Sequence, residues 1–135
     1  MKKLMLTIFA VLMVSVYSHA QNNTAAAGDS IVFEKTVHDY GTIVQSSNGE
    51  TEFVFVNRGK KPLVLNYVSA SCGCTSPEWT KTPILPGEKG SVKVKYNTEL
   101  LGSFTKTVTV LSNAVNPNVT LTIRGNVVPR ATAQQ

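Results

Sequence analysis

The apolar residues along this chain recur with the period of two that is typical of strands. Residues 91–96 alternate polar and apolar side chains without a break, which predicts a strand with one buried and one solvated face. In residues 119–128, Val119, Leu121 and Ile123 point to one side of the predicted strand. No segment shows a sustained helical stripe, so the pattern predicts an all-β protein.

The other apolar runs are short, and residues that favour turns separate them. Further strands are predicted at residues 31–33, 51–57, 63–70 and 104–112, with one more around His38. A strong turn is predicted over Pro86, Gly87, Glu88, Lys89 and Gly90, because proline presets one dihedral angle and glycine supplies a positive one. About seven short strands predict an immunoglobulin-like β-sandwich over residues 30–129. Its expected core includes Tyr67 and Trp79.

The first twenty residues follow the three-part pattern of a secretory signal. Lys2 and Lys3 form a cationic start, residues 4–16 form an apolar run, and Ser18 and Ala20 place small side chains before a cleavage site. A membrane-spanning helix needs about 20 apolar residues, so a retained anchor is the weaker interpretation. We expect an exported chain, periplasmic or extracellular, with no membrane span after cleavage. Residues 21–29 are interpreted as a flexible leader and residues 130–135 as a C-terminal tail.

Composition matters mainly through what leaves with the signal. Cleavage after Ala20 would remove all three methionines and one of the two histidines, so His38 would be the remaining imidazole. His38 and Asp39 are neighbours on a predicted strand and are expected to face opposite sides, which disfavours a Ser-His-Asp set. The basic residues are scattered and form no clustered face for nucleic acid. No enzyme signature or cofactor motif emerges, which favours a non-enzymatic module without a cofactor.

The sequence shows one constellation that carries chemistry, a pair of cysteines separated by a single glycine. Cys72, Gly73, Cys74 and Thr75 directly follow the predicted strand 63–70, and Trp79 lies five residues further on. The predicted core is large enough to fold without disulfides. We expect Gly73, Thr75 and Trp79 to support the loop, with Trp79 packed beneath it. The alternative is that Trp79 is an exposed aromatic anchor for a partner.

Three interpretations of Cys72 and Cys74 remain open from the sequence. The first is a local disulfide that shapes one tight turn, because Gly73 allows the bend and export favours oxidation. The second is thiol–disulfide chemistry, since exposed bridges are the labile ones. The third is a soft-metal site for Cu(I) or Zn(II), although the mature chain supplies few further ligands.

Several motifs together resemble a known family. They begin with His38, Asp39, Tyr40, Gly41, Thr42 and Ile43 and with residues 53–59, and they continue with the Cys72–Cys74 element, the turn at Pro86 and residues 102–113. The chain resembles the bacterial secreted proteins grouped as domain of unknown function 1573, related to Hydin-type immunoglobulin-like domains. The resemblance implies a sandwich in the cell envelope without an established activity, and it implies that Cys72 and Cys74 matter as a pair.

These observations favour an exported, non-enzymatic binding or scaffold module of the bacterial cell envelope. Its expected partner is a protein or a glycan of the envelope, bound near Cys72, Cys74 and Trp79 or along an exposed edge strand. The alternative is a thiol-redox or soft-metal site built on the Cys72–Cys74 pair.

Overall fold

The computed structural model describes residues 30–131 of the chain. The predicted signal peptide at residues 1–20, the leader at residues 21–29 and residues 132–135 lie outside this part. Among residues 30–131, no helix has the length and apolar character that crossing a bilayer requires.

Alternating strand sequences build two four-stranded sheets that enclose one core. The first sheet has the order β1-β3-β6-β5, formed by Ile31–Phe33, Glu50–Asn57, Lys89–Tyr96 and Thr75–Trp79. The second has the order β2-β8-β7-β4, formed by Val37–Val44, Asn118–Val128, Gly102–Ser112 and Leu65–Ala70. Neighbouring strands are antiparallel, except that β2 runs parallel to β8. The all-β sandwich is confirmed, with eight strands in place of about seven.

The core lies between the two sheets and follows the predicted alternation. Val92, Val94 and Tyr96 on β6 are buried, as are Leu121 and Ile123 on β8. Each such side chain contributes about 1.5–3 kcal/mol relative to an exposed one. The apolar faces of the alternating strands therefore supply the main stabilisation of the sandwich.

Tyr67 is a correction to the predicted core, because 56% of its surface is exposed. The pairing of β4 with β7 shifts register between Leu65 and Tyr67. Such an irregularity breaks the strict alternation of faces. Leu65 and Val68 are buried as a result, and Tyr67 is left on the surface.

Strand β5 is the element that the sequence pattern did not predict. Thr75 and Trp79, expected in a loop, are its first and last residues. Pro77 lies in its middle, and proline normally argues against a strand. It is accommodated because β5 is the edge of its sheet, where one side of the backbone needs no strand partner.

The predicted turn forms, but it ends earlier than expected. Glu88 N donates to Leu85 O at 2.9 Å, and Gly87 has a φ of +81° after Pro86, which is the geometry of a type II turn. Gly90 does not belong to this turn, because β6 begins at Lys89. The reason for a glycine at position 90 is packing, since a Cβ there would overlap the ring of Phe55.

Candidate functional site

The two cysteines form a disulfide at the corner where the chain passes from β4 to β5, and thus from one sheet to the other. Backbone hydrogen bonds hold this corner on both sides. Ser71 N donates to Thr107 O at 2.9 Å, and Asn97 N donates to Cys74 O at 2.9 Å. The corner is therefore fixed to both sheets by contacts that do not involve the sulfur atoms.

One hydroxyl lies beside both sulfur atoms of the bridge. Thr75 Oγ1 is 3.7 Å from Cys72 Sγ and 3.9 Å from Cys74 Sγ, and Thr75 is 4% exposed. Cys74 packs against the hydrophobic core, whereas Gly73 at the tip of the corner is exposed. The two sulfur atoms thus differ in surroundings but share one nearby hydrogen-bonding group.

Because the loop closed by the bridge is very short, we expect the bridge to add little to the stability of the fold. The loop contains Cys72, Gly73 and Cys74 alone. Closing so short a loop lowers the entropy of the unfolded chain by an amount that stabilises the fold by about 1.5 kcal/mol. The double variant C72S/C74S should remain folded and lose roughly that amount, as measured by urea unfolding. Wild-type protein unfolded in a reducing buffer is the matched control and should agree with it. Loss of the folded state in the variant would contradict this expectation.

At the end of β5 away from the corner, three side chains form a surface that we call the aromatic edge, defined by Tyr67, Trp79 and Lys81. Trp79 lies on the edge strand β5, pairs with the buried Val92 and packs against the core. The rings of Tyr67 and Trp79 meet edge to face, with their centroids 6.5 Å apart at an angle of 80°. The Lys81 Nζ lies 2.9 Å from the centroid of the Trp79 ring, a cation–π contact.

The burial of Trp79 lies between the two positions that the sequence left open, a packed core residue and an exposed one. The side chain is half-buried against the core, and it also forms part of the surface with Tyr67. Its indole Nε1 is buried and has no hydrogen-bond partner among residues 30–131. A hollow of about 260 Å³ adjoins the ring and is lined by Glu78, Trp79, Thr80, Ser91 and Lys93.

Tyr67 and Lys81 were not identified as site residues from the sequence. Lys81 stands two residues after Trp79, a spacing that places side chains on one face of an extended chain. That spacing could have indicated Lys81. Tyr67 comes from the other sheet, and no local pattern could have paired it with Trp79.

His38 and Asp39 face different surroundings, as the sequence predicted. His38 is half-buried, and burial lowers the pKa of its imidazole, with the nearby Lys35 lowering it further. Asp39 is exposed and bonds Gly41 N and Arg124 Nε, each at 2.8 Å. These bonds lower the pKa of its carboxyl group, the Gly41 bond most. Asp39 acts on the imidazole as a nearby negative charge that raises its pKa, an effect smaller than those of burial and Lys35.

Within residues 30–131, no cluster of three or more His, Cys, Asp or Glu side chains is placed to hold a metal ion. Together with the two sheets, the bridged corner and the aromatic edge define a β-sandwich module that carries a disulfide corner and an aromatic surface.

The chain belongs to the DUF1573 family, described as proteins of unknown function, whose pattern matches residues 31–127. The comparison with curated proteins found no match to this chain.

Solved structures with a similar fold come from distant proteins. One is a protein of unknown function from Porphyromonas gingivalis W83, with 18% identity and a TM-score of 0.64; the match covers 77% of this chain and 51% of that one. The PapD-like domain 7 of human CEP192 has 8% identity and a TM-score of 0.64, with 78% and 89% covered. The YadV chaperone has 15% identity and a TM-score of 0.51, with 78% and 54% covered. At these identities the likeness concerns the fold.

Proposed function

We propose that this protein is an exported, non-enzymatic binding module of the bacterial cell envelope, and that it binds a protein partner through the aromatic edge. The observation that carries the proposal is the arrangement of Tyr67, Trp79 and Lys81, with Tyr67 56% exposed. Tyrosine and tryptophan dominate the energetics of protein interfaces because they bury much area and retain a polar group.

The strands beside the aromatic edge also favour a polypeptide partner. β4 and β5 are each the last strand of their sheet, so their outer backbone groups have no strand partner within residues 30–131. An extended segment of another protein can pair with such an edge, and its side chains can contact neighbouring aromatic rings.

Export is supported by the signal pattern at residues 1–20 and by the chemistry of the corner. A disulfide persists in oxidising compartments such as the periplasm and the cell surface, and Cys72 and Cys74 are bridged. The fold likeness to a protein named as a chaperone is consistent with a role in binding other proteins.

The alternative of a soft-metal site finds less support in the geometry. Copper(I) and zinc bind thiolates, and the bridged pair presents none. Metal binding at Cys72 and Cys74 would require the bridge to be reduced first. The side chain that lies within hydrogen-bonding distance of both sulfur atoms is Thr75, a hydroxyl.

A site-specific photo-crosslinker tests the proposed partner in the producing bacterium. Asn66 is exposed on β4 next to Tyr67, so a benzophenone amino acid there leaves the aromatic edge intact. We expect a discrete crosslinked protein from position 66. Val32, 41% exposed on the opposite edge of the first sheet, is the matched control and should give no such product.

Variants at position 79 test whether the crosslink at position 66 depends on the aromatic edge. We expect Trp79→Ala to abolish the product from position 66 and Trp79→Phe, which keeps a ring, to retain part of it. Equal products from positions 66 and 32, or a product insensitive to Trp79→Ala, would overturn the proposal. A product that a glycosidase removes and a protease does not would identify a glycan and would also overturn it.

A further inference from the structure

Beyond binding, we propose that the corner bridge carries out thiol–disulfide exchange and oxidises an exposed dithiol of another envelope protein, with Cys72 as the sulfur that is attacked. The proposal rests on three features of the corner: its tethering by other bonds, the unequal surroundings of its sulfur atoms, and the hydroxyl of Thr75 beside them.

A bridge can act as a reagent when its reduction leaves the protein folded. Here the backbone on each side of the pair is held by hydrogen bonds, from Ser71 to Thr107 on β7 and from Asn97, the residue after β6, to Cys74. The bridge closes a loop of three residues, so opening it restores little entropy to the unfolded chain. The oxidised and reduced forms are therefore both expected to keep the sandwich intact.

Both cysteines are half-buried, but their surroundings differ. Cys74 packs against the core, and Cys72 is not among the side chains that do. Gly73 between them is exposed and has no side chain to block the approach, since even a Cβ there would meet no atom within 4 Å. Attack at Cys72 leaves Cys74 as the departing thiolate, which remains packed against the core.

Thr75 provides the group that stabilises this thiolate. Its Oγ1 lies 3.7 Å from Cys72 Sγ and 3.9 Å from Cys74 Sγ, within hydrogen-bonding range of either sulfur, so it can donate to the Cys74 thiolate once the bridge opens. Thr75 is held in place by its burial at the start of β5. A hydroxyl that donates to an anion makes one of the stronger hydrogen bonds in proteins. A better stabilised leaving thiolate departs faster, so Thr75 acts as a positioning residue for the exchange.

The reaction balances in two steps. A thiolate of the partner attacks Cys72 Sγ, a mixed disulfide forms, the bond between Cys72 and Cys74 breaks, and Cys74 leaves as a thiolate. The second thiolate of the partner then attacks its own sulfur in the mixed disulfide and releases Cys72 as a thiolate. The partner loses two electrons and gains a disulfide, while the corner accepts two electrons. The two protons that the partner's thiols release on forming thiolates are taken up, through water, by the thiolates of Cys72 and Cys74, so the corner becomes a dithiol.

The rate at which dithiothreitol, a small dithiol, reduces the Cys72–Cys74 bridge tests the role of Thr75. The oxidised protein is mixed with dithiothreitol, quenched by alkylation and followed by intact mass across a range of pH. We expect complete reduction with the fold retained, and a rate about tenfold lower in Thr75→Val, where the hydrogen bond to the thiolate is lost. Thr75→Ser keeps the hydroxyl and should restore the rate. A bridge that resists dithiothreitol in the folded protein, or equal rates in all three proteins, would overturn the proposal.

Single-cysteine variants test which sulfur is attacked. C74S leaves Cys72 alone and C72S leaves Cys74 alone, and both can be treated with the aromatic disulfide dithionitrobenzoate. We expect Cys72 in C74S to form the mixed disulfide about tenfold faster, because Cys74 is packed against the core. Faster reaction of Cys74 in C72S would overturn the assignment of Cys72. Neither test depends on the crosslinking result, so the two proposals can fail separately.

Discussion

Replacing Phe55 with alanine is expected to lower the free energy of unfolding by about 3–5 kcal/mol. Phe55 on β3 is fully buried, its ring lies 5.2 Å from that of Phe33, and it packs over the backbone of Gly90. Removing the ring deletes these contacts and leaves a cavity that the paired strands cannot close. Urea unfolding followed by far-ultraviolet circular dichroism would measure the change.

Phe33 provides the matched control for Phe55. It contributes the other ring of the pair but is half-buried, so Phe33→Ala should lose roughly half as much stability. Gly90→Ala should also be destabilising in the wild type, because its Cβ meets the Phe55 ring, and less so when Phe55→Leu makes room. Equal losses in Phe55→Ala and Phe33→Ala would contradict the assigned positions of the two rings.

Replacing Asn57 with alanine is expected to cost about 1–3 kcal/mol, although it removes few atoms. Asn57 is 1% exposed, and its Nδ2 donates to Lys61 O at 2.7 Å and to Ile84 O at 2.8 Å. Its Oδ1 accepts from Gly59 N at 2.9 Å. Alanine would leave the buried Gly59 N without its side-chain acceptor and would remove one of the two bonds to Ile84 O, which also accepts from Leu63 N. An unpaired buried donor accounts for most of the cost of such a change.

Asn113 is the control that separates the effect of burial on stability from the effect of losing hydrogen bonds. Its side chain also bridges two backbone groups, accepting from Val64 N at 2.8 Å and donating to Pro62 O at 3.1 Å, but it is exposed. Water can replace these bonds, so Asn113→Ala should cost about 1 kcal/mol or less. Thermal unfolding of Asn57→Ala and Asn113→Ala would compare the two. Similar losses would show that Asn57 does not bind its loop in the way described.

The extent to which the sequence predicts this fold depends on how regular each strand is. Residues 91–96 alternate without a break, and the structure places Val92, Val94 and Tyr96 in the core as predicted. β5 was missed because it is five residues long and contains Pro77, and its place at a sheet edge is what permits that proline. The position of Tyr67 depends on an irregular register between two strands, which no local pattern reveals.

The candidate site likewise has one part that the sequence predicted and one part that it did not. The spacing of Cys72 and Cys74 identified the corner, because two cysteines separated by one glycine are unusual in a chain with an adequate core. The aromatic edge joins Tyr67 of one sheet to Trp79 of the other, so it exists only once the sandwich has formed. The signal at residues 1–20 and cleavage after Ala20 remain predictions of the sequence.

The central claim is that the aromatic edge binds a protein, and the affinity of the partner crosslinked through position 66 tests it most directly. The purified partner would be titrated against the wild-type protein and against Trp79→Ala, with Val32→Ala as the matched surface control. We predict that Trp79→Ala weakens binding by roughly 30-fold or more, as expected for a tryptophan at the centre of an interface, and that Val32→Ala leaves it unchanged. Equal affinities of the wild type and Trp79→Ala would contradict the claim.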